Sequence, residues 1–216
     1  MPVENPSVQG ITLYSHADDF RSHWIRFLLA EKQIKYHPVF VDYEDEDLAS
    51  LNPYNQLPML LENNLKLFSA SIIAEYIDDR YRQNKLYADS PAARAEQRQY
   101  IWRFENDWFK LADIMLRHSD TLQPEQQQKA QKELRNTLLS LVPLFQHFPY
   151  FMSETFSILD CMLAPMFIRL SLMGVELPKT SSRPITLYCN RVFSRPAFVK
   201  SMTAQEKSRY SNLINL

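Results

Sequence analysis

The chain has 216 residues, 45% hydrophobic and 23% charged, with a formal net charge of −1. That length suits one large or two small domains, and the near-neutral balance gives no electrostatic case for nucleic acid as a ligand. Gly10 and Gly174 are its only glycines, which excludes P-loops and dinucleotide fingerprints, since both need several glycines for close phosphate approach.

The first residues, Met1 to Pro6, lack the basic start and apolar core of a signal peptide. No apolar run reaches the roughly 18 residues a membrane span needs, so a cytoplasmic protein is expected. Gly10 to Tyr14 alternates and predicts a strand. His16 to Asp19 is a polar corner. Residues 20–33 show helical spacing, with Trp24, Ile25, Leu28 and Leu29 on one face and Arg26 and Lys32 on others. Tyr36 to Val41 predicts a second strand. The acidic run Glu44 to Asp47 reads as a solvated start to a short helix or loop. Residues 58–61 and 65–68 predict two strands around an Asn63-Asn64 turn, and Ile72, Ile73, Tyr76 and Ile77 repeat at helical spacing. The first 80 residues therefore read β-α-β-α-β-β-α.

Everything after about residue 88 reads as helical. Ser90-Pro91 is an N-cap followed by proline at the first helical position. One long helix is predicted through Tyr100, Ile101, Phe104, Trp108, Leu111 and Met115. Pro124 opens another, carrying Leu134, Leu138, Leu141 and Leu144, and Pro143 requires an end or kink there. Ser157 to Asp160 is a capping box, with Phe156 and Cys161 placed for a hydrophobic staple. Thr203 to Glu206 is a second capping box. Cys161 and Cys189 read as free thiols in apolar helices. His16 and His23, with Asp18 and Asp19 between them, read as a solvated loop and helix start in preference to a weak metal site. Residues 1–85 carry 8 basic and 13 acidic side chains (net −5) and residues 86–216 carry 16 and 12 (net +4). This asymmetry suggests two domains with different faces toward partners.

This order resembles the glutathione S-transferase architecture: α/β plus all-α, with a thioredoxin-like domain over 9–83 and a helical domain over 88–210. Leu57-Pro58 resembles the cis-proline before that family's third strand, and Ser157 to Asp160 its capping box. Arg191-Val192-Phe193 with Arg195-Pro196-Ala197-Phe198 resembles its C-terminal helical segment. Leu28 to Lys32, Glu75 to Tyr81, Asp107-Trp108 and Pro149 to Ser153 are similar to the bacterial stringent starvation protein A family. That resemblance implies a transferase-like homodimer without transferase activity, which binds RNA polymerase holoenzyme through a sigma factor or core subunit and alters promoter use under stress. It implies no direct sequence-specific nucleic-acid binding, no membrane association and no cofactor.

Alignment to the transferases puts Asp19 where a hydroxyl or thiol would stabilise the glutathione thiolate. A carboxylate at about 4 Å opposes that thiolate by on the order of 1 kcal/mol in water and several at intermediate dielectric. Tyr14, Ser15 and Ser22 are the possible substitutes. The acid–serine pair that grips the γ-glutamyl end falls at Ser69 and Ala70, so both groups are replaced, and Ser71 is expected to cap the following helix. The corner keeps its N–H groups and could take a generic anion. No cysteine precedes residue 161, which removes thiol chemistry at the first helix. The family's Pro-His-Pro stretch corresponds here to Arg82-Gln83-Asn84, and the candidate partner surface is Tyr81, Arg82, Gln83, Asn84, Lys85 and Tyr87. The aromatic set Tyr100, Trp102, Phe104, Trp108 and Phe109 reads as core and dimer interface, with Trp102 off the apolar stripe. The alternatives are an active transferase using an atypical Ser or Tyr, and a small-molecule sensor.

Overall fold

The computed structural model describes residues 10–42, 52, 54–117 and 123–214; the acidic run at 44–47 and the first nine residues lie outside them. The described chain forms two compact units. One comprises the residues up to Lys85 together with Lys200–Arg209, the other Leu86–Val199 with the residues from Tyr210.

The first unit is built on a four-stranded sheet of order β2-β1-β3-β4. Its strands are β1 (Ile11–Ser15), β2 (Tyr36–Phe40), β3 (Met59–Glu62) and β4 (Leu65–Phe68). β1 pairs parallel with β2 and antiparallel with β3, which pairs antiparallel with β4. The parallel pair requires a crossover, supplied by helix α1 (Phe20–Glu31). Asn63 closes the β3–β4 hairpin at φ 53°, a left-handed value that asparagine tolerates. Helix α2 (Ala70–Arg80) follows β4. Over the described residues the predicted order of strands and helices holds, with boundaries shifted by a residue or two; the element expected at the acidic run 44–47 lies outside them.

Arg26 and Lys32 depart from the sequence reading. Neither faces water: each is 2% exposed. Arg26 donates to Glu206 Oε1 at 2.7 Å, to the Ser201 carbonyl at 3.0 Å and to the His16 carbonyl at 3.0 Å. His23 Nε2 lies 2.9 Å from Ser201 Oγ. Ser201 ends helix α9 (Pro196–Ser201) and Glu206 lies in helix α10 (Ala204–Arg209). Their interactions bring Lys200–Arg209 back into the first unit, a return that the expected 88–210 boundary does not contain. The second capping box forms as read: the Thr203 N–H donates to Glu206 Oε2 at 2.8 Å and the Glu206 N–H to Thr203 Oγ1 at 3.1 Å. Glu206 thus serves its own helix and Arg26 together.

The second unit is helical: α3 (Pro91–Asn106), α4 (Trp108–Arg117), α5 (Pro124–Ser140), α6 (Val142–His147), α7 (Ile158–Phe167) and α8 (Arg183–Phe193). The single long helix expected through Met115 is two, parted at Asp107. The Asp107 N–H is shared between the carbonyls of Arg103 and Phe104, and Asn106-Asp107 are poor helix formers whose side chains compete for backbone groups. Pro143 breaks α5 from α6 as expected. Both cysteines are free, Cys161 buried and Cys189 half-buried. No described helix is long and apolar enough to cross a membrane.

All ten residues of α7 are buried, and the Ser157–Asp160 box that starts it does more than cap. Asp160 accepts from the N–H groups of Ser157 and Phe151, both at 2.8 Å, and from the Tyr188 hydroxyl at 3.0 Å. It thus pins the loop before α7 and helix α8 to one carboxylate. Phe151 packs edge-on against Phe104 and Phe145, and Phe145 lies tilted against Tyr188. Trp102, by contrast, is 59% exposed. Burial pushes the Asp160 carboxyl up to about 6, against the opposing pull of its N–H and hydroxyl donors.

Two outcomes are expected. Glu206→Ala strands the buried Arg26 charge and costs about 3–5 kcal/mol in urea unfolding, while joint replacement of Arg26 and Glu206 by apolar residues of similar volume costs much less. Asp160 has a folded pKa above its unfolded value, so its stabilising contribution is complete below about pH 4 and is lost as pH rises through about 6. The stability difference between wild type and Asp160→Asn shifts by about 3 kcal/mol across that window, measured by urea midpoints from pH 4 to 7.

Candidate functional site

The corner at the start of α1 is where transferase chemistry would reside. Asp19 is its N-cap: Oδ2 accepts from the Ser22 N–H at 2.7 Å, and the residue is 5% exposed. The positive end of the α1 dipole therefore already faces a carboxylate that belongs to the chain. Ser15 and Ser22 are fully buried, and Ser22 Oγ accepts from the His16 N–H at 3.2 Å. Tyr14 packs beside the buried Leu57 and Met59, as a strand residue does. Of these three hydroxyl-bearing residues, Ser15 and Ser22 are closed to solvent and Tyr14 is half-buried. His16 and His23 also diverge, His16 half-exposed 3.4 Å from Asp42 and His23 buried against Ser201.

The Leu57–Pro58 bond is cis and leads directly into β3. At the other side of the corner, Ser69 is the N-cap of α2, with φ 88° and ψ 118° and no side-chain bond to the helix. Ser71 does not cap the helix; it is the second helical residue, its hydroxyl 3.0 Å from that of Ser69. Only a side chain one position before the first helical turn can turn back onto the free N–H groups, and that position belongs to Ser69. Ser69 holds a strained left-handed backbone, and buried Ala70 contributes no polar atom.

The segment after α2 is better organised than its polar sequence suggests. Lys32, at the C-cap of α1, sends its ammonium to Asp78 Oδ1 at 2.7 Å, the Gln83 carbonyl at 3.0 Å and the Asn84 carbonyl at 3.2 Å. Glu62 accepts from the hydroxyls of Tyr76 at 2.6 Å and Tyr81 at 3.1 Å. Burial and the Glu62 charge push both phenols up, Tyr76 to about 12. Asn84 sits at φ 50°. Held at both ends, the stretch leaves Arg82, Gln83, Asn84 and Lys85 exposed. Tyr87 is a correction. It is 4% exposed, in the second unit, with the Arg94 guanidinium 5.6 Å from its ring, because an aromatic ring beside an apolar helix start gains more from burial than from water. Sequence reading places Lys32 off the apolar face of its helix and gives it no part in the site, since a lysine near a helix end ordinarily faces solvent.

In the second unit a groove of about 740 Å³ opens over Tyr100, Phe104 and Trp108, with Arg103 and Lys110 among its lining residues. Part of the aromatic set thus lines a surface concavity as well as the core.

Residues 9–79 match the family model for the glutathione S-transferase N-terminal domain. The stringent starvation protein A homolog of Haemophilus influenzae is 38% identical over 194 residues, covering 89% of this chain and 90% of that one. The homolog of Pasteurella multocida matches equally, at 38% over the same shares. Among solved structures, Ure2p in complex with glutathione superposes with a TM-score of 0.81 at 15% identity, covering 91% of this chain and 94% of that one, a likeness of fold. On the identity and coverage of those relatives, the chain belongs to the stringent starvation protein A family of the glutathione S-transferase-like superfamily.

Proposed function

We propose that this protein is a catalytically silent adaptor that binds RNA polymerase holoenzyme, through a sigma factor or core subunit, and alters promoter use under starvation or stress. It works as a cytoplasmic homodimer and needs no cofactor. The observation that carries the silent half of this reading is Asp19. A carboxylate capping α1 takes up the helix's positive end, where a glutathione thiolate would need it, and opposes that charge. The choice of partner is supported by the family relationship, whose named members are stringent starvation proteins.

The anchored segment supports the choice of contact. Arg82 and Lys85 project from a backbone fixed by Lys32, so little conformational freedom is lost on docking, which favours affinity. Arg and Tyr are also favoured interface residues. Contacts through this segment involve protein and not base edges.

Three outcomes are expected. Tagged wild-type chain recovers endogenous polymerase from a lysate, and Arg82→Ala with Lys85→Ala recovers several-fold less. Recovery by neither form overturns the reading; recovery by both places the contact elsewhere on the chain. Replacing Lys32 by Met together with Asp78 by Leu keeps the fold but speeds amide exchange across residues 82–86 by about tenfold or more, since two carbonyls lose their donor; polymerase recovery falls with it. Calorimetric titration with glutathione gives no saturable heat, and a conjugation assay with a chromogenic electrophile gives no turnover above background. Robust turnover would return the protein to the enzymes.

A further inference from the structure

A second concavity lies entirely within the helical unit and has no part in the reading above. It is a groove of about 530 Å³ between the end of α6 and helix α8, lined by the apolar Phe148, Pro184 and Leu187 and by His147, Arg183 and Arg191. Among the described residues lining it, none is acidic. Leu187 is 51% exposed, an apolar side chain left open to water. Arg183, Leu187 and Arg191 recur every four residues along α8 and so share one stripe, with the two arginines about 12 Å apart along the helix axis. Arg191 is pre-positioned. Its guanidinium donates to the Pro149 carbonyl and lies 5.9 Å from the Tyr150 ring. His147 meets Phe148 edge-on at 4.7 Å.

We infer that this groove docks an acidic peptide segment of a partner protein, an apolar side chain seated on Leu187 and flanked by two carboxylates that reach Arg183 and Arg191. The alternation of cation, apolar and cation selects the occupant. A carboxylate meets a guanidinium in paired, charge-assisted bonds, while a leucine between them gains by covering its exposed surface. A phosphodiester chain offers charge at every nucleotide but would lay a hydrated backbone on Leu187. The chain's overall charge of −1 also gives a polyanion no long-range attraction.

The test uses the full chain and a fluorescein-labelled, alanine-based helical peptide. The peptide carries two glutamates seven positions apart and a leucine midway, a glutamate spacing of about 10 Å. Fluorescence anisotropy is expected to show saturable binding that weakens with salt, and weakens about tenfold in Arg183→Glu with Arg191→Glu. A peptide with lysines in place of the glutamates should recover binding to that doubly changed chain, which separates lost recognition from lost folding. Leu187→Ser, exposed and structurally mild, should weaken the wild-type peptide several-fold with an unchanged melting temperature. Absence of saturable binding, equal binding of a glutamine-substituted peptide, or equal binding of a single-stranded oligonucleotide of matched charge would each overturn the inference.

Discussion

One ammonium group ties together the elements that present this protein's most distinctive surface. Lys32 has three N–H donors, and Asp78, Gln83 and Asn84 each accept one, at 2.7, 3.0 and 3.2 Å. Burying a charge costs several kcal/mol after relaxation, and the arrangement survives only because every donor is satisfied and the counter-charge is buried beside it. The end of α1, the end of α2 and the turn beyond are therefore fixed relative to one another. Glu62, gripping Tyr81, fixes the start of the same stretch. A polar run that would otherwise be a slack connection thus has one course, with Arg82 and Lys85 held out to solvent.

The same unit keeps the architecture of a transferase corner with different side chains in it. The cis bond before β3, the left-handed Ser69 and the open start of α2 preserve the contour of a thiol-binding corner. The side chains of Asp19, Ser15, Ser22 and Ala70 at that corner are buried. Asp19 caps its own helix, Ser22 takes a backbone N–H, and Ser15 and Ala70 are buried. The Asp19 carboxylate satisfies a local need of its helix start, and Ser22 serves the loop before it, while the Ser15 hydroxyl is buried without a hydrogen-bond partner. Architecture constrains where a site can be, and side chains at half a dozen positions decide whether one is there.

Much of this was legible in the sequence because the signals were local. Strand alternation, proline at helix starts, the break at Pro143 and both capping boxes depend on residues within a turn or two of each other. The failures share a different cause. Arg26 and Lys32 look like solvent-facing charges on an amphipathic helix, because Glu206 and Asp78 lie 180 and 46 residues away in the chain. The return of Lys200–Arg209 to the first unit follows from the same distant pairing. Ser69 and Ser71 both suit an N-cap by type, and only backbone geometry assigns the role to Ser69. The parting of α3 from α4 at Asp107 rests on a single shared N–H, too small a feature to outweigh an apolar stripe that continues through Met115.

Charge distribution supplies the last constraint on how such a chain can recognise its partners. At physiological ionic strength a charge is felt over about 8 Å, so recognition depends on local sign rather than on the total. The first unit is acidic in sequence, yet its anchored turn exposes Arg82 and Lys85. The second unit's groove has His147, Arg183 and Arg191 among its lining residues. Small cationic surfaces on a chain of net negative charge give duplex nucleic acid no extended basic track to follow, since such binding grows with the number of phosphates neutralised. They remain sufficient to orient a compact acidic protein surface at close range, where complementary charge contributes to register and encounter rate more than to affinity.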